Sequence, residues 1–75
     1  MKLREEIRRN VCGHEHVLQM HGFYISKEEH RIRFDAVVDF DTPDRDALCR
    51  QLTEEVGRIA PGYSVEIAMD SDISD

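Results

Sequence analysis

The chain has 75 residues, with sixteen Asp and Glu against ten Lys and Arg, a formal net charge of −6, and two cysteines outside any C-x-x-C spacing. Such a length holds one domain with a thin core; the acidic balance disfavours nucleic acid and anionic lipid and favours cations as small partners; the cysteine usage fits a reducing compartment. Apolar runs such as Ala36 to Val38 fall far short of the roughly 20 residues of a membrane helix, and the charged start (Lys2, Arg4, Glu5, Glu6) excludes a signal peptide, so the chain is expected to be cytosolic and not itself inserted in a membrane.

Leu3, Ile7 and Val11 recur every four residues and predict a first helix over 2–12, ended by Gly13, with Glu5 and Arg9 set for an i,i+4 ion pair. Residues 17–25 are rich in apolar and aromatic side chains and read as a strand. The polar link Ser26-Lys-Glu-Glu-His30 then turns the chain into a second strand over 31–40. Here Ile32, Phe34, Ala36, Val38 and Phe40 alternate with Arg33, Asp35, Val37, Asp39 and Asp41, so the even-numbered face is the core side.

Thr42-Pro43 matches an N-cap followed by proline at the first helical position, with Asp44 and Asp46 in the first turn of a helix over 43–60. Leu48, Leu52, Val56 and Ile59 form its buried stripe, and Pro61-Gly62 stops it. A third strand covers 63–69, and an acidic tail, 70–75, closes the chain. The order is α-β-β-α-β, an α+β sandwich with two helices on one face of a three-stranded mixed sheet. A right-handed crossover from the second strand to the third sets these two parallel, which makes the second strand central.

If the hairpin is symmetric about Glu28, His21 stands opposite Asp35, and Asp70 approaches from the other neighbour on the same face. One imidazole with carboxylates suits zinc, manganese, iron(II) or cobalt. The competing reading is a packed histidine beside acids that merely keep an open face soluble. Phe23 and Ile25 share parity with His21 and predict an exposed apolar patch, which we assign to a homodimer. His14 and His16 form an H-x-H pair able to chelate on one side but without an evident third ligand; the favoured reading is ordinary loop histidines. His30 is expected in solvent, and Cys12 and Cys49 as small packed residues.

The segment from His16 to Asp75, with its words HGFY, FD-x-V-x-DFD, P-x-Y and D-x-D-x-SD, resembles the cytosolic C-terminal domain of the cation diffusion facilitator family of metal-ion efflux transporters. The resemblance implies a metallochaperone-like, ferredoxin-like fold and a homodimer joined to the transmembrane domain of the same transporter. It also implies regulatory divalent-metal binding, with His21, Asp35 and Asp70 as the metal ligands. Ala68 stands where the family often has a histidine bridging two metals, and Asp46 near another family histidine. A weak mononuclear site is therefore expected, or a purely structural dimerisation module; a free-standing small metal-binding regulator is the further alternative. No nucleophile setting, phosphate loop or enclosed carboxylate pair points to an enzyme.

Overall fold

The computed structural model describes residues 3–71. Five elements follow in order: α1 (Leu3–Cys12), β1 (Val17–Ser26), β2 (Arg31–Val38), α2 (Arg45–Ile59) and β3 (Ser64–Ser71). The strands form one sheet in the order β1-β2-β3, with β2 antiparallel to β1 and parallel to β3. This is the α-β-β-α-β sandwich that the apolar periodicity predicts. Residues 72–75 of the expected tail, and Lys2 of the expected first helix, lie outside the described residues.

The core forms where the two helical stripes meet the inward row of the central strand. Ile7 and Val11 of α1, Leu52 and Val56 of α2, and Ile32, Phe34, Ala36 and Val38 of β2 are all essentially inaccessible. Leu3, Leu48, Ile59, Val65, Ile67 and Met69 pack around them half-buried. Each fully buried aliphatic or aromatic side chain stabilises the fold by about 1.5–3 kcal/mol, so a thin core of this kind leaves little surplus after chain entropy. No helix among the described residues is long and apolar enough to cross a membrane.

Two bulges in β1 depart from simple alternation. The register pairs Val17 with Val38 and Gln19 with Val37, then His21 with Asp35 and Tyr24 with Arg33. One residue is therefore extra near Leu18, and Gly22 and Phe23 together oppose Phe34. Gly22 takes φ +61, a left-handed conformation that costs other residues about 1–2 kcal/mol. The consequence overturns the expected patch: Phe23 and Ile25 turn to the core side, where the Phe23 ring stacks on Phe34 with centroids 6.0 Å apart. Tyr24 takes the outward place, 53% exposed.

The end of β2 departs as well. Asp39 closes a turn on itself: its Oδ1 accepts from the Asp41 amide at 3.1 Å, and its carbonyl accepts from the Thr42 amide and hydroxyl at 3.1 and 2.7 Å. Local side-chain to backbone bonds of this kind compete with a continuing ladder. The strand stops at Val38, and Phe40, expected in the core, is 75% exposed. Helix α2 also begins later than expected. Its N-cap is Asp44, which accepts from the Ala47 amide at 3.0 Å, and not Thr42, whose hydroxyl is already committed to Asp39.

Candidate functional site

On the open face of the sheet, His21 and Asp35 are direct partners in the β1–β2 ladder. Opposed residues of an antiparallel pair point to the same side. Since Phe34 and Ala36, on either side of Asp35, are buried under the helices, Asp35 faces outward, and His21 with it. His21 is exposed and Asp35 half-buried. The Asp35 carboxylate leans over the backbone of Gly22: a Cβ there would stand 3.4 Å from Oδ2. Glycine at the bulge thus gives the carboxylate room beside His21.

Asp70 belongs to the same face but to a different level. Ala68 is the β3 residue in register with Asp35, and Asp70 is in register with Val37, two residues further along. Among the described residues, no three His, Cys, Asp or Glu side chains converge well enough to hold a metal ion as they stand. The structure therefore brings together His21 and Asp35 and leaves Asp70 displaced along the strand.

A shallow groove of about 630 Å³ borders this pair, lined by Gly22, Tyr24, Arg31, Arg33, Asp35 and Glu66 among others. Arg31 lies between Glu29 at 3.7 Å and Glu66 at 4.0 Å. These exposed contacts are each worth less than about 1 kcal/mol. The groove's chemistry is mixed charge around a tyrosine, suited to a protein surface of similarly mixed charge more than to an apolar small molecule.

The loop histidines stay clear of the sheet-face pair, and one of them gains a partner on α2. His14 Nε2 lies 2.7 Å from Glu55 Oε1 of α2, with only about a fifth of each side chain exposed. That contact holds the Glu55 carboxyl below its usual range, against the opposing effect of burial and with help from Gln51, whose Nε2 donates to Oε2 at 3.1 Å. Among the described residues, His14, His16 and Glu55 do not form a three-ligand group. His30 is exposed, with its ring edge-to-face on Tyr63 at 5.3 Å. Cys12, expected to pack, is exposed, while Cys49 is half-buried. Glu5 and Arg9 do not close their ion pair; instead Arg4 lies over the Phe23 ring, 5.3 Å from its centroid.

Sequence reasoning missed Glu55, which contacts a histidine 41 positions away. Its place on α2 gave one clue: Glu55 precedes the buried Val56 and so flanks the apolar stripe, beside whatever loop packs there.

No family model matches the chain, and no curated protein does. Among solved structures, the chain is similar to one of CzrB, assigned as a zinc transporter, with a TM-score of 0.72 and 23% sequence identity over 93% of each chain. The two share one fold across nearly their whole lengths, the fold that the resemblance in the sequence implies.

Proposed function

We propose that this chain is the cytosolic regulatory and dimerisation domain of a divalent-cation efflux transporter. The observation that carries the reading is the shared fold with a zinc-transporter chain, in a molecule whose sequence words led to the same family. An exposed imidazole set directly against a carboxylate on an unpartnered sheet face supports it further. The role is one of binding and association, not catalysis, and the transmembrane domain of the same transporter is its covalent neighbour.

In this reading His21 and Asp35 are the primary ligands for zinc or a similar ion such as manganese, iron or cobalt. Asp70 joins through a side-chain swing or through water, since its backbone is two positions out of register with Asp35. Two protein ligands make a weak site. Homodimerisation across the open face, by way of Tyr24 and the exposed Leu18 in place of the expected Phe23 and Ile25, would set two such pairs near one another. Bound metal then steadies the dimer by screening carboxylates that otherwise repel.

The absence of a converged three-ligand group among the described residues favours a second reading, a structural dimerisation module without metal. Calorimetric titration with zinc, paired with sedimentation in the presence and absence of the ion, separates the two. Binding that tightens self-association supports the sensor. A dimer indifferent to zinc supports the structural module, and a monomer at high micromolar concentration under both conditions sinks both.

A further inference from the structure

The two edges of the sheet are guarded unequally. An edge strand presents backbone groups with which another extended chain can pair, and proteins blunt such edges with bulges, charges or covering side chains. β1 carries two register shifts and the left-handed Gly22. β3 carries none: Ser64 to Ser71 run in unbroken register with Arg31 to Val38. The Ser64 amide donates to the His30 carbonyl at 2.8 Å, so the even-numbered residues of β3 turn their backbone groups toward β2. The odd-numbered ones, Val65, Ile67 and Met69, turn theirs to the free edge. There Arg45 Nη2 donates to the Met69 carbonyl at 3.0 Å and covers one end. Among the described residues, nothing bonds to the backbone amides and carbonyls of Val65 and Ile67 on that side.

The side chains of β3 sort by face. Val65, Ile67 and Met69 sit on the core side yet stay half-exposed, since the outermost strand has no neighbour beyond it. Ser64, Glu66, Ala68 and Asp70 sit exposed on the open face. Glu66 meets Arg31 only at 4.0 Å, and Asp70 closes no ion pair among the described residues. We propose that the free edge of β3 takes up an extended segment of another protein as a fourth strand, one in which apolar side chains alternate with lysine or arginine. Its backbone bonds to Val65 and Ile67. Its apolar side chains extend the half-covered row, and its basic ones pair across the edge with Glu66 and Asp70. The net charge of −6 draws such a segment in from a distance. A second copy of the chain fits worse, because two β3 strands paired antiparallel about Ala68 set Glu66 directly against Asp70. Arg45 limits the length of the added strand by occupying the Met69 carbonyl.

This edge does not rest on the metal reading of the open face. The test uses the ¹⁵N-labelled full chain and a synthetic heptapeptide of alternating lysine and valine, with amide exchange read residue by residue. The peptide should slow exchange of the Val65 and Ile67 amides. Two control peptides should not: one with glutamate in place of lysine, and one methylated on every backbone nitrogen, which cannot donate to β3. Glu66→Lys, a change at an exposed position that leaves the fold intact, should bind the lysine and valine peptide several-fold more weakly. Unchanged exchange with that peptide overturns the proposal, as does an equal effect from either control or undiminished binding by Glu66→Lys. Protection of Val65 and Ile67 that rises with protein concentration alone overturns it in favour of a second copy at the edge.

Discussion

His21 and Asp35 oppose each other across the β1–β2 ladder, and Ala68 completes that row on β3. A row of this kind supplies two donors and a methyl group, so any ion held there depends on both donors, and on Asp70 only secondarily. On the proposed sheet-face site, His21→Ala and Asp35→Ala should each remove one of two primary ligands and take away most of the zinc affinity, and Asp70→Ala should weaken it by less. Calorimetric affinities rank the three. An Asp70→Ala effect as large as that of Asp35→Ala would mean that the last strand contributes a full ligand.

Gly22 sits in the bulge at φ +61, with the Asp35 carboxylate 3.4 Å from the place of its missing Cβ. Gly22→Ala should cost about 1–2 kcal/mol in stability from the backbone alone. The added methyl also bears on the carboxylate next to His21. Urea unfolding measures the first effect, and zinc affinity the second. A variant as stable as the wild type would mean that Gly22 does not adopt this conformation in solution.

Phe23 and Tyr24 give the bulge its clearest test, because simple alternation assigns them the opposite faces. With Phe23 stacked on Phe34, Phe23→Ala should destabilise the domain by about 2 kcal/mol, less than the 3–5 kcal/mol of a fully buried phenylalanine. Tyr24→Ala should leave stability within about 0.5 kcal/mol, as exposed positions do, and on the proposed association across the open face it should lower the dimer fraction in sedimentation. The reverse pattern would restore the unbulged register.

These residues also mark where the sequence was legible. The inward row Ile32, Phe34, Ala36 and Val38 announces itself because β2 is central and its period of two is unbroken. In β1 the same rule fails past His21, because an inserted residue reverses parity and a lone glycine signals a bulge only weakly. The pairing of His21 with Asp35 was nevertheless reached: the hairpin expected to be symmetric about Glu28 gains one residue of offset at the turn and loses it at Gly22. Phe40 was misread because Asp39 turns the chain through its own carboxylate, a local competition that hydrophobic alternation cannot register. The His14–Glu55 contact joins residues 41 apart, and only the packing of α1 and its following loop on α2 creates it.

That contact carries a pH dependence in the metal-free protein. The His14 hydrogen bond, with smaller help from Gln51 and Asn10, lowers the Glu55 carboxyl from its ordinary value of 4.5, although burial pushes the other way. A carboxyl lowered by folding binds its proton more readily in the unfolded chain. Its contribution to stability is therefore full above pH 4.5 and is lost as the pH falls through the folded value. Hydrogen bonds to a charged group are worth about 1.5–3 kcal/mol when well made, and partial exposure here brings the expected cost of Glu55→Gln to about 1–2 kcal/mol at neutral pH. Urea unfolding of wild type and Glu55→Gln at neutral pH and at steps below pH 4.5 should show the gap between them closing as the solution becomes more acid. A gap that stays constant across that range would mean that the carboxylate gains nothing from His14 in solution.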